Sequence, residues 1–110
     1  MNEDETVRAR RRREALDMLA FERQREEALL PQLENALRDA RAWRVDASVI
    51  AGMEAADVDE LRAAGFLLQA PGGDASTRLE QRVAKLKADL DESRRRQAAY
   101  ERFAAALGES

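Results

Sequence analysis

One face of a single helix dominates the C-terminal third of this chain. Leu79, Val83, Leu86, Leu90, Ser93, Gln97, Tyr100, Ala104 and Leu107 follow one another at alternating steps of four and three. That spacing is a heptad seam, and it predicts a long helix over residues 77–108. A helix so long, with a polar outer face, cannot leave its seam in water and must bury it against another helix. The supply of large side chains agrees with a thin core. Charged residues make up 37% of the chain and aromatic residues 5%, which suits slim packing between helices better than a thick globular interior.

The companion helix is sought at the other end of the sequence. Residues 1–44 read as a long N-terminal helix whose acidic start, Glu3-Asp4-Glu5, favours the positive end of the helix dipole. Either Asn2 with Glu5, or Thr6, caps it. Leu16, Leu19, Leu30, Leu33, Leu37 and Ala40 mark its apolar face, which Arg23 and Glu26 interrupt. Pro31 lacks a backbone donor and disfavours helical geometry at Leu30. A kink near residues 27–31, or two helices with Pro31 in the first turn of the second, is expected. Laid antiparallel, the two long segments set Leu37 against Val83, Leu33 against Leu86 and Leu30 against Leu90. Glu26 and Glu27 then come level with Arg94, Arg95 and Arg96. The polar seam positions Ser93 and Gln97 meet the weak middle of the first helix.

Residues 45–76 have a different texture and read as a compact insert. Asp46 is expected to cap a short helix through Val49 and Ile50 that ends at Gly52. A capping box, Asp57-Val58-Asp59-Glu60, starts a second short helix, which stops at Gly65 in a left-handed conformation. Phe66 is expected to fold back on that helix. Ala70-Pro71-Gly72-Gly73 is a turn, and Thr77-Arg78-Leu79-Glu80 is the capping box of the C-terminal helix. The predicted fold is therefore all-α: an antiparallel, coiled-coil-like hairpin of long helices with a two-helix insert at the turn, forming one structural unit.

The chemistry available to the chain is narrow. It has no histidine and no cysteine, which removes Ser-His and thiolate nucleophiles and the common zinc sets. No glycine-rich phosphate loop is present. Carboxylates cluster at Asp57 with Asp59 and Glu60, at Asp89 with Asp91 and Glu92, and at Glu26 with Glu27. Charged residues are rarely buried unless paired, so these read as solvated faces and caps. No enzyme activity, catalytic residue, metal site or cofactor is expected.

Two groups of residues remain as candidate contacts. Arg8, Arg10, Arg11, Arg12 and Arg13, with Arg94, Arg95 and Arg96 toward the same open end of the hairpin, form a basic collar suited to nucleic acid or an acidic partner. Against it stand Glu3, Asp4, Glu5 and Glu14 and a net charge of −3. Trp43, Val49, Ile50, Met53, Leu61, Phe66, Leu67 and Leu68 form either the small core of the insert or an apolar patch for a partner.

Two short resemblances accompany these groups. Gly52 to Phe66 resembles the first half of the helix-hairpin-helix of strand-exchange recombinases, although Leu67-Leu68-Gln69-Ala70-Pro71 departs from its second helix. Leu61-Arg62-Ala63-Ala64-Gly65-Phe66 ahead of a long coiled-coil helix resembles the C-terminal half of mercury-resistance-type regulators, whose long helix dimerises. The reading-head pattern of that family is missing from residues 1–44.

The expected function is that of a non-catalytic helical interaction protein. It would be an adaptor or assembly component of phage, prophage or secretion type, acting through coiled-coil contacts with a protein partner or with copies of itself. The alternative is a small nucleic-acid-binding regulator using Arg8–Arg13. The acidic start lacks the apolar centre of a signal peptide, and the apolar stretch at Phe66-Leu67-Leu68 is too short for a bilayer. A cytoplasmic protein without membrane contact is expected.

Overall fold

A computed structural model of the chain describes residues 2–67 and 73–108. Three helices follow in order: α1 (Glu3–Ile50), α2 (Ala55–Ala63) and α3 (Gly73–Gly108). No strand occurs among the described residues. Long helix α1 packs against α3, giving a helical hairpin with a small insert. The chain divides into two compact units, Met1–Pro31 with Lys87–Ser110, and Gln32–Leu86.

Helix α1 starts where its cap puts it. The Asn2 side-chain oxygen accepts the Glu5 backbone N–H at 2.8 Å, and three carboxylates occupy the first turn. Pro31 lies inside the helix, which runs on to Ile50, so the alternative of two helices is corrected to one. The expected break at Arg44 is corrected as well. No Gly or Pro occurs between Gln32 and Ala51, so nothing interrupts the ladder, and Asp46 is an interior residue rather than a cap. The insert accordingly holds one short helix among the described residues, not two.

Helix α2 begins earlier than its sequence suggests. Glu54 is the N-cap, with extended backbone and no side-chain cap bond, and Asp57 sits in the first turn. Its end is a Schellman closure: Gly65 at φ +72° donates to the Arg62 carbonyl, and Phe66 donates to that of Leu61. The backbone folds back at Phe66, but the ring does not, being 73% exposed. Helix α3 also starts early, at Gly73, which places Thr77 inside it rather than at its cap. Leu68 and most of the Ala70–Gly73 turn lie outside the described residues.

The unit of Met1–Pro31 with Lys87–Ser110 buries Ala15, Leu19, Leu29, Leu90 and Ala104. It also buries Glu22 and Ser93. The unit of Gln32–Leu86 buries Ala36, Val58 and Leu86, with Leu33, Leu37, Ala40, Trp43, Ala47, Ile50, Met53, Leu61, Leu79 and Val83 half-buried. On α1 the water-shielded line is Ala15, Leu19, Glu22, Glu26, Leu29, Leu33, Ala36, Ala40, Trp43, Ala47 and Ile50. Those steps again alternate between four and three, the period of a coiled coil. Leu16 and Leu30 stand on its shoulder, each 38% exposed.

Candidate interaction surfaces

A buried polar layer crosses the first unit. Glu22, at 2% exposure, and Ser93, at 0%, replace the apolar pair that a seam normally holds at this level. The small Ser93 side chain lets the helices close up, and its hydroxyl donates to the Glu22 backbone carbonyl at 3.0 Å. The Gln97 amide donates to the Ser93 Oγ at 3.4 Å and to Glu26 Oε1 at 3.5 Å. Two cations neutralise the Glu22 carboxylate, Arg25 at 3.4 Å and Arg96 at 3.6 Å. Arg25 and Arg96 also share Glu92, at 3.3 and 3.0 Å.

Flanking pairs finish the layer, with Arg94 on Glu26 and Arg23 on Glu101, both at 2.9 Å. No buried side-chain nitrogen or oxygen lacks a partner among the described residues. Desolvation pulls the Arg25 guanidinium down, but its hydrogen bond to Glu92 and the charges of Glu22 and Glu92 outweigh it, raising the pKa above the usual value. Its permanent charge sits where the buried carboxylate needs one. Such a layer fixes which residues stand level and whether the helices run antiparallel, at some cost in stability.

The open end of the hairpin uses its arginines locally. Arg8 donates to the carbonyls of Ala106 and Leu107 at 3.3 and 3.4 Å, satisfying the exposed end of α3 and meeting its negative dipole. Arg12 lies beside Gly108. Helix α3 therefore accompanies α1 down to its first turns. Arg10 and Arg11 both pair with Glu14, and Arg11 stacks over the Phe103 ring at 5.7 Å from its centroid. Of the collar, Arg94 and Arg96 belong to the polar layer. Arg12, Arg13 and Arg95 are exposed and make no ion pair among the described residues.

One flank of this unit carries an open groove of about 760 Å³. Ala15, Met18, Ala99, Tyr100 and Phe103 supply its apolar walls, and Arg11, Glu14 and Asp17 its charged rim. Met18 and Phe103 are more than two-fifths exposed, and Phe21, one turn along α1 from Met18, is more exposed still. Leu107 is half-buried at the end of α3.

The second unit presents a separate surface. Val45, Val49 and Phe66 are largely exposed, while Trp43, Ile50, Met53, Leu61 and Leu67 are half-buried. This spreads the insert residues between a thin core and a solvent-facing apolar surface.

The sequence marked the level of the polar layer, with Ser93 and Gln97 opposite Arg23 and Glu26, but not Glu22 as its buried centre, and it gave no sign of the groove. The available signal was the coincidence of polar residues at one level of two facing seams. Among the described residues no cluster of three or more His, Cys, Asp or Glu could hold a metal ion, and no helix is long and apolar enough to cross a membrane. The chain matches no protein-family model, and no curated protein or solved structure is significantly similar to it.

Proposed function

We propose that this chain is a non-catalytic helical interaction protein, an adaptor or assembly component that docks other helices on the flanks of its hairpin. The observation that carries this reading is the apolar surface left over after the hairpin closes. Met18, Phe21 and Phe103 in one unit, and Val45, Val49 and Phe66 in the other, stay exposed although each unit has few large apolar residues to bury. Exposed apolar groups gathered on a flank mark contact surfaces. A phage, prophage or secretion-type assembly in the cytoplasm is the setting that fits a chain with this composition.

Light scattering of the purified chain, together with cross-linking in its source cells, tests the reading. A defined assembly above the 12.4 kDa chain mass, alone or with one reproducible protein, supports it. A monomer at every concentration with no cross-linked protein overturns it. The competing role, nucleic-acid binding through Arg8–Arg13, is weakened by the contacts of Arg8, Arg10 and Arg11 within the chain. Binding to duplex DNA that falls steeply with added salt would restore it.

A further inference from the structure

We propose that the groove beside Met18 and Phe103 receives a second copy of this chain, the two α1 helices packing antiparallel about a two-fold axis near Glu14. The inference rests on the interaction reading and names its partner. Two-fold assembly requires one patch that complements itself, and this flank does so in charge. Arg11 and Asp17 lie three residues to either side of Glu14, both on the groove rim. Antiparallel pairing about Glu14 brings Arg11 of each copy level with Asp17 of the other. Asp17 has no ion partner among the described residues of its own chain, and Arg11, exposed and paired with Glu14 in the single chain, is long enough to exchange that partner for it.

The same register serves the apolar groups. Met18 of the second copy comes level with Arg10 and Arg11 and lies over the Phe103 end of the groove. Exposed Phe21 meets exposed Val7. Each Glu14 at the axis keeps Arg10 of its own chain, 3.7 Å away, so the two carboxylates meet with their charge compensated while Arg11 turns to the other copy. The product is a four-helix arrangement that covers Met18, Phe21 and Phe103, which the single hairpin leaves exposed. Electrostatic pairing of this kind chooses the partner and the register more than it sets affinity.

Sedimentation velocity on the full chain tests this, with helicity followed by circular dichroism. The expected result is a species of twice the 12.4 kDa chain mass. Arg11→Asp or Asp17→Arg alone should weaken association about tenfold or more, and the double exchange Arg11→Asp/Asp17→Arg should restore most of it. Phe21→Glu, at a position outside the hairpin core, should also give monomer at unchanged helicity.

A chain that is monomeric alone overturns the assignment and leaves the groove to a helix of another protein, with the interaction reading intact. A dimer indifferent to the charge reversals, or not rescued by the exchange, overturns it too and moves self-association to another face.

Discussion

The two compact units are made from the same pair of long helices and hold themselves together differently. In the unit of Met1–Pro31 with Lys87–Ser110, apolar seam residues alternate with a charged layer that is wholly partnered. Every ion pair among the described residues falls in this unit. Among its described residues the unit of Gln32–Leu86 buries only Ala36, Val58 and Leu86, and it exposes Val45, Val49 and Phe66. The first unit spends stability on specifying one arrangement. The second relies on non-directional contact among small and half-covered side chains, so its local opening should need less free energy.

The largest expected effect sets the units directly against each other. Leu90→Asp places an unpaired charge in the first unit's seam and should cost about 4 kcal/mol in urea unfolding, with amide protection lost throughout. Leu86→Asp does the same one heptad step away in the second unit. It should cost less, and hydrogen exchange should accelerate mainly in residues 32–86. Equal costs with equal spread would erase the distinction.

Next in size, Glu22→Ala strips the layer of its central carboxylate and leaves Arg25 and Arg96 crowded without it. A loss of about 2 kcal/mol is expected, read from the shift of the urea midpoint. A stabilised variant would show that the layer serves specificity alone. Gly65→Ala probes the second unit, where the glycine has φ +72° and nothing within 4 Å of an added Cβ. Only backbone strain then acts, costing about 1 kcal/mol in thermal unfolding.

The smallest effect concerns pH. The Arg25 pKa is raised in the folded state, so its stabilisation is complete below the unfolded value and fades only as pH climbs through the folded one. The stability difference between the native chain and Arg25→Ala should stay flat from roughly pH 6 to 10. A slope in that window would mean that another group titrates with it.

The contrast between the units also explains what the sequence revealed. The α3 seam was plain because Leu79, Val83, Leu86, Leu90 and Leu107 are large and regularly spaced, and hydrophobic periodicity reports large residues best. The α1 line was displaced at three places because it runs through Ala15, Glu22, Glu26, Leu29 and Ala36, while Leu16, Leu30 and Leu37 lie one residue to the side. A charged residue in a seam contradicts the usual link between polarity and exposure. Only its partners on the other helix, Ser93, Arg96 and Gln97, make it intelligible. Helix ends were misplaced for a related reason. Asp46, Asp57 and Thr77 are good caps, yet the ladder passes through all three because the surrounding residues are strong helix formers.

Ser93 carries a consequence for how this chain can change. Its hydroxyl touches the facing main chain at a point with no exposed surface at all, so position 93 works as a sieve for size. In a library randomised there, glycine, alanine and serine would survive, and each larger residue would have to wedge the hairpin apart. Drift elsewhere on the molecule's charged exterior is cheap, and here the alphabet shrinks to its smallest letters.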